Sequence, residues 1–330
     1  MELILAVDIG STKMAVGLAT RRGEIVDREQ VLVDHDLDGE SLFGTLAEVV
    51  DRQMERAADR HAGRVVAVGV GCAGPVGPDV EWVSPLNTLS WRQFPLRERL
   101  AKLTGVDVYG DLDAKALALG EGWLGAAKGY ANFLAMVVST GIGGGVVLDG
   151  RLLDGASGNA GHIGHVIVEP NGRRCGCGAK GCLEAEASGT AIAQMTGRPA
   201  SEPSYDTMVR TGRMVGIAVA SVCNLLDLDL AVVGGSVALG FGATFFNAAQ
   251  QEIDEHSRLN FVRGARITPV RLGDKGPLVG ASAVGWRGVN RFGIPDPPPP
   301  PPPPDEPPGL FDELPPEGDG PDRRDAGRDG

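Results

Sequence analysis

His165, Cys175, Cys177 and Cys182 follow the pattern H-x9-C-x-C-x4-C, with Gly176, Gly178 and Gly181 interleaved. Glycines let a backbone fold tightly enough to gather three thiolates around one ion. Three Cys and one His close a tetrahedral Zn²⁺ shell with no open position, which makes the metal structural rather than catalytic. An unmetallated thiol cluster is the alternative. Five cysteines are an odd number, and clustering three of them favours a metal over a disulfide framework. Cys72 and Cys223 stand apart in apolar surroundings and read as buried core thiols.

Three glycine turns carry the second chemistry. In Asp8-Ile9-Gly10-Ser11-Thr12-Lys13, Gly10 lets backbone N–H groups approach a phosphate. Ser11 and Thr12 add hydroxyls, and Asp8 suits a hydrated Mg²⁺; an ordinary hairpin is the plain alternative. Ser139-Thr140-Gly141-Ile142-Gly143-Gly144-Gly145 repeats the design with backbone donors around a Thr hydroxyl. It is neither a Walker loop nor a Rossmann fingerprint. Val232-Val233-Gly234-Gly235-Ser236 offers bare backbone on which a purine can lie flat. Three such turns after three buried strands describe a nucleotide held between two lobes. Asp111-Leu112-Asp113-Ala114-Lys115 ends a strand and starts a helix. Asp113 is there either an N-cap or a general base that takes a hydroxyl proton as phosphate arrives.

The elements that must position these residues alternate between strand and helix. Buried or alternating strands are expected at 2–8, 13–20, 25–33, 65–71, 106–111, 133–139, 145–149 and 230–233. Helical spacing marks 42–62, 98–103, 114–123 and 211–226. A β-β-β-α-β-α-β order, met again in the second half, predicts two related α/β lobes.

Seven motifs then resemble the ROK family of bacterial repressors and sugar kinases, within the actin/hexokinase superfamily. They are D-I-G-S-T-K at 8–13, G-C-A-G-P-V at 71–76, D-L-D-A-K at 111–115, S-T-G-I-G-G-G at 139–145, G-N-A-G-H-I-G-H at 158–165, C-G-C-G-A-K-G-C-L-E at 175–184 and V-V-G-G-S at 232–236. The resemblance spans about 3–290. It implies a two-lobed, actin/hexokinase-like (ribonuclease H-like) ATPase fold with a zinc-braced loop. It implies Asp113 as catalytic base, Gly74, Asn87, His162, His165 and Glu184 around a sugar, and His165 with the three cysteines on zinc. Asp8, Gly10, Ser11, Thr12, Lys13, Thr140, Gly141, Gly143 and Gly144 fall to the phosphates, and Gly234-Gly235 to the adenosine. Four positions depart from the family pattern. Leu112 replaces a sugar-contacting Asn, and His162 stands where Glu is usual. Ser11 replaces Gly, and Lys115 replaces Asn. Each buried polar mismatch is worth ~1–3 kcal/mol against the matching hydroxyl.

The expectation is an ATP- and Mg²⁺-dependent, glucokinase-like enzyme that phosphorylates a hexose at C6 and forms a homodimer. The alternatives are a kinase for an amino or N-acetylated hexose, and a non-catalytic, sugar-responsive regulator. ROK repressors carry a helix-turn-helix ahead of the first phosphate loop, whereas seven residues precede Asp8 here.

Composition is consistent with this expectation. Of the net charge of −12, residues 295–330 carry −7, so the body has no basic surface for nucleic acid. No uninterrupted apolar run approaches the roughly 18–20 residues that span a bilayer. The N-terminus lacks a basic n-region, so the chain reads as cytoplasmic. The expected division is an N-terminal lobe over 1–112, a C-terminal lobe over 113–294 whose last helix packs back on the first, and a tail over 295–330. That tail holds 14 of the 23 prolines, eight of them consecutive at 297–304. It reads as a disordered, acidic polyproline II segment, or less simply as a docking site for an SH3-like partner.

Overall fold

Two five-stranded sheets with the same topology make up the body. The computed structural model describes residues 1–289; the proline-rich tail and its expected partner lie outside them. The first sheet holds β1 (Glu2–Ile9), β2 (Lys13–Thr20), β3 (Ile25–Leu32), β4 (Arg64–Cys72) and β5 (Val108–Leu112). Its helices are α1 (Gly39–Asp59) and α2 (Leu96–Thr104), and α3 (Asp113–Leu124) leads onward. The second sheet holds β6 (Phe133–Val138), β7 (Ile142–Leu148), β8 (Arg151–Leu152), β9 (Leu230–Gly234) and β10 (Arg266–Pro269). Between and after these strands come α4 (Leu183–Ala187), α5 (Gly189–Thr196), α6 (Tyr205–Leu226), α7 (Ser236–His256) and α8 (Gly276–Gly288).

Strand order is 3-2-1-4-5 in the first sheet and 8-7-6-9-10 in the second. In each, the first three strands pair antiparallel and the last two pair parallel. The repeated order expected from the sequence is therefore present.

Side-chain alternation explains the layers. On β1, Leu3, Leu5, Val7 and Ile9 join Leu42, Leu46 and Val50 of α1 in one core. Ile4 and Ala6 point to the other face, where Trp286 and Leu278 of α8 meet them. A strand covered on both sides must be apolar throughout, which is why β1 reads as an unbroken run. The second sheet repeats this. Leu134, Met136 and Val138 face α6 and α7, while Phe133 and Ala135 face Ala116 and Leu119 of α3.

Helices α3 and α8 form the joint. Helix α3 follows the first sheet yet packs on β6 and β7; α8 follows the second sheet yet packs on β1 and β4. They cross at glycines: a Cβ at Gly280 would lie 2.4 Å from the Ala116 carbonyl oxygen, and one at Gly120 would lie 3.0 Å from the Gly280 nitrogen.

Element ends differ from the sequence expectation where caps decide them. Helix α1 starts at Gly39 because Asp38 accepts from Glu40 N and Ser41 N, both at 2.9 Å. Among the described residues, α6 alone is long and apolar enough, by length and composition, to cross a membrane. The sequence reading did not credit that length; the apolar face lies against α7 and the second core.

Gly280→Val should lower stability by about 1–3 kcal/mol, because neither backbone can move aside. Gly44, exposed in mid-α1 with open space around it, gives the contrast. Gly44→Ala should gain about 0.5–1 kcal/mol of helix propensity. Denaturant unfolding of both variants checks the pair; a Gly280→Val protein as stable as wild type would refute the close crossing.

Candidate active site at the lobe junction

The carboxyl ends of β1, β4 and β5 are neighbours, since Asp8 pairs with Gly71 and Gly71 with Asp111. Alternation puts Asp8 on the inner face with Ile4 and Ala6. Gly71 keeps that corner open: a Cβ there would lie 3.6 Å from Asp113 Cα and 3.8 Å from Asp8 Oδ1. Asp8 is buried, and its carboxyl is pushed up to about 7, first by burial and then by the Asp113 charge, against a lowering pull from Lys13. Burial also raises the Asp113 carboxyl, against the Ala114 N–H that donates to its Oδ1 at 2.7 Å. The cap residue of α3 is Leu112, not Asp113. Asp113 is the first residue of α3, and its carboxylate accepts from Ala114 N–H rather than from the second or third helical N–H.

The β1–β2 turn is closed by Gly10 N donating to Lys13 O at 3.0 Å, leaving Thr12 and Lys13 exposed beside Ser11. The matching turn of the second sheet is shorter than expected. Gly143, Gly144 and Gly145 lie inside β7, paired with Val137, Met136 and Ala135, so the turn proper is 139–141. Glycine is needed there for close approach: a Cβ at Gly145 would lie 2.8 Å from Lys115 Cα, and one at Gly144 would lie 2.9 Å from Gly161 O. Of the four cofactor positions expected on this loop, Thr140 and Gly141 stand at its tip.

The third turn meets the second. Gly235 adopts φ +97°, and a Cβ there would lie 2.3 Å from Val138 O. Ser236 Oγ is 3.0 Å from Ser139 Oγ. Sequence reasoning missed a further participant, the start of α5. Gly189 N donates to Ser139 O at 2.7 Å, and Thr190 Oγ1 donates to Thr140 O at 3.0 Å. The Ser188 N-cap signal was its only trace in sequence.

Across the cleft, a Cβ at Gly74 would lie 2.5 Å from Leu112 Cδ2 and 3.8 Å from His162 Cε1, so the three residues adjoin. Leu112 belongs to the outer core of the first sheet. Asn87 is exposed on the same loop as Gly74, one residue from Leu86, whose N–H donates to Gly74 O at 3.2 Å. His162 reaches solvent at the cleft wall while part of its ring is desolvated, which lowers its pKa; His165, whose ring centroid is 6.0 Å away, adds to the shift. Glu184 Oε2 accepts from Ile142 N at 2.9 Å, joining the helix after the cysteines to the glycine turn.

The ligand atoms of His165, Cys175, Cys177 and Cys182 all lie within 4.8 Å of one another. Cys177 Sγ is 3.7 Å from Cys182 Sγ, and Cys175 Sγ is 3.7 Å from His165 Nδ1. Tetrahedral ligation with Zn–S of about 2.3 Å requires S···S near 3.8 Å. Gly181, at φ +71°, passes so close to Glu169 O that a Cβ would lie 1.7 Å from it. The four donors fit a closed zinc site, with Cys182 delivering the chain directly into α4 and Glu184.

The family model for the ROK family matches residues 4–286. The chain belongs to the ROK family. It is 30% identical over 315 residues to a glucokinase of Halalkalibacterium halodurans, covering 86% of this chain and 93% of that one. It is also 30% identical over 294 residues to an N-acetylmannosamine kinase of Haemophilus influenzae, covering 84% and 93%. A solved ROK family glucokinase from Streptomyces griseus, in complex with glucose and AMPPNP, superposes with a TM-score of 0.73 at 28% identity, covering 87% and 100%.

Two outcomes are expected of this ROK protein. Purified without added metal, it should carry one Zn²⁺ per chain, and chelation should open 158–184 to proteolysis; zinc-free protein with that segment still protected would overturn the site. The second concerns Asp8, whose folded pKa of about 7 exceeds the unfolded 3.8. Between those values the folded state holds the proton more tightly, so stability falls as pH rises through that window. Asp8→Asn removes the penalty. The variant should melt higher than wild type at pH 8, with the gap closing toward pH 4; equal gaps at both pH values would contradict the burial argument.

Proposed function

We propose that the protein is an ATP-dependent hexose kinase of glucokinase type that phosphorylates the C6 hydroxyl, with Asp113 as general base. The observation that carries this reading is Asp113 itself: a carboxylate at the head of α3, beside Asp8 and between glycine turns of both sheets. Its raised pKa brings it nearer the working pH, where a base is most effective.

In this reading the sugar lies among Gly74, Asn87, His162, His165 and Glu184, and ATP lies along the turns at 10–13, 139–141 and 234–236. Asp113 takes the hydroxyl proton while the sugar oxygen bonds to the γ-phosphorus. The bond to the β,γ-bridging oxygen breaks, and ADP leaves. Mg²⁺ held near Asp8 supplies positive charge to the phosphates when bound. That charge also answers the mutual repulsion of Asp8 and Asp113. The zinc site acts at a distance, by fixing the segment that carries His165 and Glu184. Similarity to glucokinases, one of them solved with glucose and AMPPNP, supports the substrate pair.

Leu112 and His162 favour a second reading, a kinase for an amino or N-acetylated hexose. Both replace residues that the family uses toward sugar hydroxyls, and similarity to an N-acetylmannosamine kinase points the same way.

Asp113→Asn keeps shape and hydrogen bonding but cannot accept the proton, so kcat should fall ~10²–10⁴-fold with sugar and nucleotide binding retained. A coupled assay over hexoses, hexosamines and N-acetylhexosamines reads both questions. Turnover by the variant above about a tenth of wild type would end the base assignment, and no turnover of any sugar by wild type would end the kinase reading.

A further inference from the structure

Lys115 is almost wholly buried and stands two residues after Asp113 on α3. Its ammonium has three donors and three acceptors: Asp111 Oδ1, Asp154 Oδ1 and Gly158 O, each at 3.0 Å. Asp111 is the penultimate residue of β5, the first sheet's edge strand. Asp154 and Gly158 lie beyond β8 of the second sheet and open the segment that leads through His162 to His165. A second cation, Arg287 near the end of α8, approaches Asp154 Oδ2 at 3.5 Å.

Residues 154–157 are exposed, so little side-chain packing holds this segment. A cavity of about 540 Å³ adjoins Lys115, Asp154 and Gly158, so contact with neighbouring side chains is missing on that flank. A buried ammonium without carboxylates is strongly unfavourable. Moving 154–158 away would strip Lys115 of two of its three acceptors. The segment is pinned again at its far end, where Gly161 lies against Gly144 and His165 joins the cysteine cluster.

We infer that Lys115 is a positioning residue: an ionic latch whose buried ammonium spans both lobes, from largely buried Asp111 to half-exposed Asp154, and holds His162 in register with Asp113. The inference rests on the kinase reading only for its kinetic consequence. The latch and the cysteine cluster are two clamps on one strap, and His162 sits between them. Its displacement alters sugar affinity, while Asp113 and the nucleotide turns stay on their own elements.

Asp154→Asn takes the charge from the strap's side of the latch and leaves the Gly158 acceptor and the Lys115–Asp111 pair in place, so it is the variant least harmful to folding. Lys115→Met removes the whole latch. Asp154→Asn should raise the sugar KM about tenfold, as expected for one charge-assisted hydrogen bond, with kcat and the ATP KM within about twofold. Amide hydrogen exchange should quicken over 154–165 in both variants and stay unchanged over 175–184. A lower melting temperature with the sugar KM and exchange unchanged would reduce Lys115 to a structural ion pair and overturn the inference. If wild type phosphorylates no sugar, the kinase reading fails by itself and exchange decides the latch: acceleration confined to 154–165 upholds it, and uniform or absent acceleration refutes it.

Discussion

The crossing of α3 and α8 is the constraint from which the cleft follows. Each helix leaves one sheet and packs on the other, so the two must pass within backbone contact. Gly120 and Gly280 permit that contact, and Gly69 and Gly285 repeat it between β4 and α8, where a Cβ at Gly69 would lie 2.1 Å from Ala281 O. The strand ends that carry Asp8 and Asp113 then face the glycine turns of the second sheet. Larger residues at the crossing would wedge the sheets apart and widen the gap that a reacting pair must bridge. Proximity at a bond-forming centre is sensitive to about an ångström.

That closeness has an electrostatic consequence. Asp8 and Asp113 are drawn from water and toward each other, and each carboxyl is raised by burial. A fold selected for stability alone would place neutral groups there. Two acids in one buried corner instead create a standing demand for positive charge, met in part by exposed Lys13. Such a corner costs stability that neutral groups would not.

Much of this was legible in the sequence, and the exceptions have physical causes. β1, β4 and β6 announced themselves because burial on both faces leaves no polar interruption. The Cys₃His cluster was legible because such thiolate spacing has few other uses. Helices α7 and α8 left no periodic trace. α8 is buried almost all round, and glycines at 276, 280, 285 and 288 serve contacts rather than propensity. α7 is interrupted at Gly242, whose φ of 56° breaks the helical pattern. The run Gly143–Gly145 read as an open phosphate loop, because sequence does not distinguish a glycine that exposes backbone from one that admits a neighbouring helix. Lys115 was legible only as a departure from the family pattern; two of its three partners lie 39 and 43 residues away, and only the fold brings them to it.

The two departures at the sugar side are not equivalent. Leu112 is 4% exposed and lies under Gly74 within the first core, so it presents almost no surface to a ligand. Its effect is to withdraw a polar contact without putting an apolar one in its place. His162 stands at the cleft wall, and partial desolvation of its ring lowers its pKa, which favours the neutral form. A neutral imidazole offers one donor and one acceptor where a carboxylate offers acceptors alone. The change at 162 therefore admits a partner that accepts a hydrogen bond, such as an amide carbonyl, at a place where an acid would accept only hydroxyl or ammonium donors. Under the proposed function, discrimination among sugars at this wall rests on where the proposed latch and the Cys₃His cluster hold one imidazole.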